Sequence, residues 1–206
     1  SGCARRWEIG CYGFQMQTRS ILLPFLRVAV AADADTATDA RMTLVKGAKF
    51  MRAISAGGGY LWRYSTDMKL MAGEGKGSKT TIWIQPPGTP SMGEAFLTAY
   101  EATGDKYLLD CALAVGDALA MSQLESGGWD YWFDFDAKER WYRQVDRGKL
   151  AFTETTRRRN FTTFDDNNSQ SALRFLMALG GHCRNADDAR QRRVLHALSY
   201  GLQKLL

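Results

Sequence analysis

The sequence is poor in the side chains that most often act as catalytic bases and metal ligands. It contains only two histidines, His182 and His196, and neither has a nucleophile in a recognisable motif near it. Ser-His-Asp and Cys-His catalysis are therefore not expected. The four cysteines do not have the spacing of zinc ligands, which excludes a zinc finger or a zinc ribbon. Whether Cys111 and Cys183 form a disulfide is left open.

The sequence also lacks long apolar runs and long runs in which apolar and polar residues alternate. No stretch is long enough to cross a bilayer, so we expect no integral membrane segment. Residues 19–32 form a shorter apolar stretch with a charged start and an Ala29-Val30-Ala31 end, which resembles a secretory signal. The alternative interpretation is a buried first helix. The signal interpretation makes residues 1–37 a signal-like or linker segment and predicts a secreted or periplasmic protein.

Acidic residues are slightly outnumbered by basic ones. The sequence has 27 Lys and Arg against 22 Asp and Glu, which gives a net charge of +5 at pH 7. A mild basic excess favours an acidic partner. By itself it does not distinguish nucleic acid, anionic lipid and acidic polysaccharide.

A glycine-aromatic segment occurs twice in the chain. Residues 57–67 and 127–136 each open with a glycine pair, continue with an aromatic cluster and reach an acidic residue. Each follows a stretch with helical periodicity. Because stacked helical repeats gather equivalent loops on one face, we expect these rings and carboxylates to lie together.

Apolar residues at helical spacing predict a succession of helices. They run approximately over residues 38–55, 91–103, 106–124, 169–179 and 187–206. A Ser-x-x-Glu capping box at 91–94 predicts the start of the second helix, and the residues before Pro86-Pro87 are expected to be extended. This order predicts an all-α fold over residues 38–206. We expect an incomplete α/α toroid of antiparallel helix pairs with the long glycine-aromatic loops at one rim.

Carboxylates in the loops are the main candidates for chemistry. Asp134 lies in the second repeated loop, and Asp165-Asp166-Asn167-Asn168 precedes the fourth predicted helix. Paired carboxylates serve as acid and base in glycoside hydrolysis, and oxygen-rich turns bind calcium. An acidic, magnesium-binding motif of a terpene cyclase-like protein is a third possibility. The alternative is that Asp165 or Asn168 only caps the helix.

The aromatic residues of the loops suit sugar binding. Trp62, Tyr131 and Trp132 have amphipathic rings that stack well in a half-wet groove. The alternative is that most of these rings fill the core. The arginine run at 157–159 is consistent either with attraction of a polyanion or with a solvated loop.

Two motifs, in order along the chain, resemble those of the pectic acid lyase family of pectate lyases. Gly127-Gly128-Trp129 is similar to the family's first loop. Thr163-Phe164-Asp165-Asp166, followed by Arg174-Phe175-Leu176, is similar to its second motif. In the first loop, Asp130-Tyr131-Trp132 stands where the family has Pro-Lys-Asn.

The resemblance implies a secreted lyase that cleaves a pectate-like acidic polysaccharide by β-elimination, with calcium as cofactor and no nucleic acid as partner. It implies catalytic roles for Asp134 and Asp165, and calcium binding by Asp165 and Asp166. Together with the aromatic loops, it leads us to expect that the substrate is bound by Trp62, Arg63, Tyr131, Trp132 and Arg174.

The family's third loop and its base, an arginine, are expected beyond Leu206, so we interpret the chain as truncated at its C-terminus. The alternative is a non-catalytic toroid that binds glycans or acts as a scaffold. The sequence leaves open which polysaccharide is recognised and which oligomer forms.

Overall fold

The structure is a computed structural model that describes residues 34–136, 138, 142, 144–145, 159–185 and 187–206. The signal-like segment at 19–32 and the first two arginines of the 157–159 run lie outside the described residues. None of the helices in the described ranges is long and apolar enough to cross a membrane.

Five α-helices occur in the described part of the chain, at positions close to those predicted. They are α1 (Ala34–Ile54), α2 (Thr89–Thr103), α3 (Lys106–Ser122), α4 (Asn168–Gly180) and α5 (Ala189–Leu205). Asp105 begins α3 by accepting a hydrogen bond from the Tyr107 backbone N–H, and Asp188 begins α5 in the same way. The predicted capping box is wrong, because α2 starts earlier, with Gly88 as its N-cap and Pro90 in its first turn.

The predicted all-α toroid is wrong, because the chain also forms two small antiparallel sheets. One sheet pairs β1 (Arg63–Tyr64) with β2 (Met71–Ala72), and the other pairs β3 (Thr81–Trp83) with β4 (Trp132–Asp134). Each strand has only two or three residues, which is too short to show an alternating pattern. The pairing of β3 with β4 is also non-local in sequence, so neither segment signals it alone.

Helix α3 is the centre of the core. Its Leu108, Val115 and Leu119 are fully buried, and it packs against α1, α2, α4 and α5. Burial of each such side chain stabilises the fold by about 1.5 to 3 kcal/mol. Helix α2 approaches α4 closely at Gly93, where an added Cβ would lie 2.4 Å from the Phe175 ring.

Ion pairs fix α5 against α3. The Arg193 guanidinium donates to both carboxylate oxygens of Asp117, at 2.6 and 2.8 Å. Arg190 lies 2.7 Å from Asp110. Because planar, bidentate pairs constrain both partners, these contacts set the alignment of the two helices.

Strand β3 and the residues after it lie between the two repeated loops. The Trp83 backbone N–H donates to the carbonyl of Tyr60 in the first loop, at 2.8 Å. The Ile84 backbone N–H donates to the carbonyl of Tyr131 in the second loop, also at 2.8 Å. The first loop is in turn pressed against the core, since a Cβ on Gly58 would lie 2.3 Å from the Ala114 carbonyl oxygen. Both repeated loops are therefore held by hydrogen bonds to the same segment, which is β3 and the residue after it.

Candidate functional site

The two segments that resemble the lyase motifs contact each other. The Trp129 backbone N–H donates to Ser169 Oγ at 3.0 Å, and the Thr163 N–H donates to the Trp129 carbonyl at 2.8 Å. Thr163 Oγ also donates to the buried carboxylate of Asp130. Trp129 itself is fully buried, with its indole N–H bonded to the Leu119 carbonyl of α3. This buried junction positions the more exposed residues beside it, Tyr131 and Asp165.

Tyr131 and Asp165 meet at the edge of this junction. The Tyr131 hydroxyl donates a hydrogen bond to Asp165 Oδ2 at 3.0 Å. This bond is the main reason why the pKa of Tyr131 is raised, with smaller contributions from burial and from the carboxylates of Asp165, Asp166 and Glu74. The tyrosine therefore stays a hydrogen-bond donor to Asp165 at neutral and mildly alkaline pH.

Asp165 and Asp166 project from a tight turn before α4. Residues Asp165–Asn167 form a single 3-10 turn in which Asp166 and Asn167 have positive φ, at 48° and 60°. Asp and Asn tolerate this left-handed conformation better than most residues. The Asp166 N–H donates to Asp165 Oδ1 at 3.0 Å. The turn leaves both side chains exposed and adjacent.

Gln85 connects this acidic turn to two tryptophans. Its Nε2 donates to Asp166 Oδ2 at 2.9 Å, and its Oε1 accepts from the Trp83 indole N–H at 3.0 Å. Its backbone carbonyl accepts from the Trp62 indole N–H at 2.9 Å. The two indoles pack edge to face, with centroids 5.9 Å apart. Sequence reasoning missed Gln85 and Trp83. The sequence signal that could have identified Gln85 was its position as a polar residue at the end of an apolar, extended segment.

The structure thus brings together four of the sequence-predicted site residues, which are Trp62, Tyr131, Asp165 and Asp166. Arg63 follows Trp62 and is exposed, and it donates to the Gly73 carbonyl at 3.0 Å. Glu74, which sequence reasoning also missed, is exposed next to that contact.

Asp134 is held away from this group. It pairs with Thr81 at one end of the β3–β4 sheet, whereas Tyr131 precedes the other end. Asp134 is only 3% exposed. Its carboxylate accepts from Thr80 Oγ at 2.6 Å, Thr81 Oγ at 2.7 Å, Ser78 Oγ at 3.1 Å and the Asp136 N–H at 2.7 Å. Burial opposes ionisation, but these donors outweigh it and lower the pKa of Asp134. A carboxylate bound in this way is a poor proton carrier.

Trp132 and Arg174 also lie outside the acidic group. Trp132 packs edge to face on Tyr142, with centroids 5.6 Å apart, and lines a cavity on the Asp134 side of the sheet. Arg174 lies on the exposed face of α4, where it pairs with Glu94 of α2 at 3.1 Å.

The oxygen donors suit a hard cation in their chemistry. Calcium prefers carboxylate and carbonyl oxygens, and Asp165 and Asp166 present two adjacent, exposed carboxylates. Within the described ranges, no group of three or more acidic, histidine or cysteine side chains converges as a metal cluster. A six- to eight-coordinate ion at this turn would thus take most of its oxygens from water or from a ligand.

No protein-family model matches the chain, and no significant match is found among curated proteins. Among solved structures, the chain is similar to a family 10 polysaccharide lyase from Cellvibrio cellulosa, with 16% identity and a TM-score of 0.47. The match covers 80% of this chain and 46% of that one. It is also similar to a mutant of the family 10 lyase from the same organism in complex with trigalacturonic acid, with 17% identity and a TM-score of 0.46. That match covers 80% of this chain and 47% of the other. The chain therefore spans slightly less than half the length of these polysaccharide lyases.

Proposed function

We propose that the protein is a secreted or periplasmic polysaccharide lyase that cleaves a pectate-like acidic polysaccharide by β-elimination. The observation that supports this most directly is the hydrogen bond between Tyr131 and Asp165. It joins the residues that follow Gly127-Gly128-Trp129 to the segment Thr163-Phe164-Asp165-Asp166, and so brings candidate side chains from beside both lyase-like motifs together. Trp62, attached through Gln85, adds a half-buried aromatic side chain to this group.

A polyuronate can bind beside Asp165 and Asp166 only if the negative charges of the sugar and of these two side chains are neutralised. In β-elimination a base removes the proton next to the sugar carboxylate, a carbon–carbon double bond forms and the bond to the glycosidic oxygen breaks, so negative charge develops on the carboxylate in the transition state. Asp165 and Asp166 alone would repel a uronate, because like charges a few Å apart destabilise each other. Calcium, when bound, would neutralise the sugar carboxylate and acidify the adjacent proton. Asp165 and Asp166 are the residues that would hold it.

The remaining residues of the site orient these two carboxylates. Tyr131 occupies Asp165 Oδ2 and Gln85 occupies Asp166 Oδ2, so each carboxylate keeps a defined rotamer. Asp165 Oδ1 also accepts from the Asp166 N–H, and the remaining lone pairs of these two exposed side chains are left for solvent or a ligand. Trp62 is half-buried next to them and presents part of an indole ring for stacking on a sugar.

The proposal is tested by the appearance of unsaturated sugar products. The natural full-length protein is incubated with polygalacturonate and calcium, and ultraviolet absorbance is followed. We expect Asp165→Asn to lower kcat/KM by about 100-fold or more, as for loss of a ligand of the ion that would stabilise transition-state charge. Tyr131→Phe should lower it by about tenfold. Asp187→Asn, an exposed substitution in the turn before α5, is the matched control and should have wild-type activity. Absence of product from several polyuronates between pH 7 and pH 10 would refute the lyase proposal.

A second candidate is a glycan-binding protein that does not cleave its ligand. The specific observation in its favour is Asp134, a predicted catalytic residue whose oxygens are all engaged by hydroxyl and backbone donors. The replacement of the family's Pro-Lys-Asn by Asp130-Tyr131-Trp132 also favours it. This candidate predicts that the protein binds acidic glycans without forming product, and that Trp132→Ala weakens the binding.

A further inference from the structure

A basic surface lies on the segment that contains β1, β2 and the loop before β3, and this segment begins directly after Trp62 of the candidate site. Its exposed cations are Arg63, Lys69, Lys76 and Lys79. We call these four residues the basic surface.

Few of these charges are neutralised. Lys69 lies 3.5 Å from Asp67, and both side chains are more than half exposed, so that pair is weak. Among the described residues, no carboxylate forms an ion pair with Lys76 or Lys79. The two lysines are therefore available to an anionic ligand.

Two adjoining cavities give the basic surface its shape. The first has a volume of about 500 Å3, and its lining includes Arg63, Lys69 and Lys76. The second, of about 610 Å3, is lined by Lys76, Lys79 and Trp132, and also by Asp134 and Asp136. Because Lys76 and Gly77 line both cavities, the two adjoin there, and we refer to them together as the track.

The track continues into the candidate site. Glu74 lines the first cavity. Gly73, the residue before it, packs against the Trp83 ring, whose indole N–H is bonded to Gln85. Arg63 directly follows Trp62, the other tryptophan bonded to Gln85. Because Gln85 contacts Asp166, the basic surface and the acidic turn are connected through these two tryptophans.

We infer that the basic surface is a second binding region, which holds the carboxylates of a polyuronate several sugars away from the Asp165–Asp166 turn. A polyuronate carries one carboxylate per sugar, so spaced lysines match its charge. Trp132 would stack on a sugar face at the end of the track. The inference rests on the proposed function, because it extends the same substrate. It predicts that long chains bind more tightly than short ones, and that salt weakens the difference.

The test compares two double variants with equal loss of charge. Lys76→Gln/Lys79→Gln removes the two unpaired lysines of the basic surface. Lys46→Gln/Lys49→Gln removes two exposed lysines of α1 and is the control. Binding of the full chain is measured by affinity electrophoresis in gels containing polygalacturonate, and by calorimetry with trigalacturonate. Neither measurement requires cleavage.

We expect the first double variant to weaken polygalacturonate binding by about three- to tenfold, as for two exposed charge pairs. Its affinity for trigalacturonate should stay at the wild-type value. The control should behave as wild type. Equal weakening in both double variants, weakening in neither, or equally tight binding of double-stranded DNA would overturn the inference.

These outcomes are separate from those of the lyase proposal. If no product forms but polymer binding depends on Lys76 and Lys79, the basic surface stands as a polyuronate-binding region and the lyase proposal fails. If product forms at wild-type rates and affinities in the Lys76/Lys79 variant, the lyase proposal stands and the basic surface has no such role.

Discussion

Asp134→Ala should destabilise the protein rather than remove a catalytic group. The carboxylate is buried and accepts four hydrogen bonds, at 2.6 to 3.1 Å. In the variant, water can accept the hydrogen bonds of the exposed hydroxyls of Ser78 and Thr80. The buried Thr81 hydroxyl and the Asp136 N–H would lose a charged acceptor, and each such bond contributes about 1.5 to 3 kcal/mol. We therefore expect a loss of about 3 to 6 kcal/mol in the free energy of unfolding.

Urea denaturation followed by tryptophan fluorescence measures this loss. With a slope of about 2 to 3 kcal/mol per molar urea for a chain of this size, the midpoint should fall by more than about 1 M. Asp187→Ala, at an exposed position, should change the free energy by less than about 0.5 kcal/mol. If Asp134→Ala keeps the wild-type midpoint but loses activity, Asp134 is catalytic and the reasoning here is wrong.

The pH dependence of stability provides a second check on Asp134. Its folded pKa is lowered below the usual value of 3.8, because its donors outweigh the opposing effect of burial. Its contribution is therefore fully present above about pH 4 and is lost as the pH falls through the folded pKa. Below pH 4, the wild type should lose stability more steeply than Asp134→Ala. Parallel curves for the two proteins would contradict the assignment.

Two further predictions concern the helices. Gly93→Ala should lower the free energy of unfolding by about 1 to 3 kcal/mol, because its Cβ would press on the Phe175 ring. Gly47→Ala, with no atom within 4 Å of the added Cβ, should raise it by about 0.5 to 1 kcal/mol. Thermal unfolding measures whether each variant is less or more stable than the wild type, and a destabilised Gly47→Ala would contradict the assignment of α1 as a regular helix. Arg193→Ala should cost about 1 to 2 kcal/mol, and a double-mutant cycle with Asp117→Ala should recover most of that loss as coupling energy, so near-zero coupling would show that the ion pair does not hold α5.

The helices could be predicted from the sequence because their signals are local. Leu108, Val115 and Leu119 recur on one face of α3, and this periodicity needs no knowledge of other segments. The strands could not be predicted in this way. Ile82 and Phe133 become neighbours only when the chain is folded, and the strands are too short for alternation to appear.

The same difference between local and non-local signals applies to the residues of the candidate site. Asp165 and Asp166 could be identified as candidates because they are adjacent in sequence and precede a helix. The role of Gln85 could not be identified, because it depends on an indole at the end of β3 and a carboxylate from a distant turn. The proximity of Asp134 to three hydroxyls is likewise a product of the β3–β4 register, which the sequence alone does not fix.

The amide of Gln85 can have only one orientation. An indole N–H can only donate and a carboxylate can only accept, so the amide oxygen must face Trp83 and the amide nitrogen must face Asp166. Rotation of the amide by half a turn would set donor against donor and acceptor against acceptor. Glutamate, although equal in size, would place a second negative charge against Asp166. The position therefore tolerates neither a flip nor its closest isostere, and glutamine is the side chain that meets both neighbours at once.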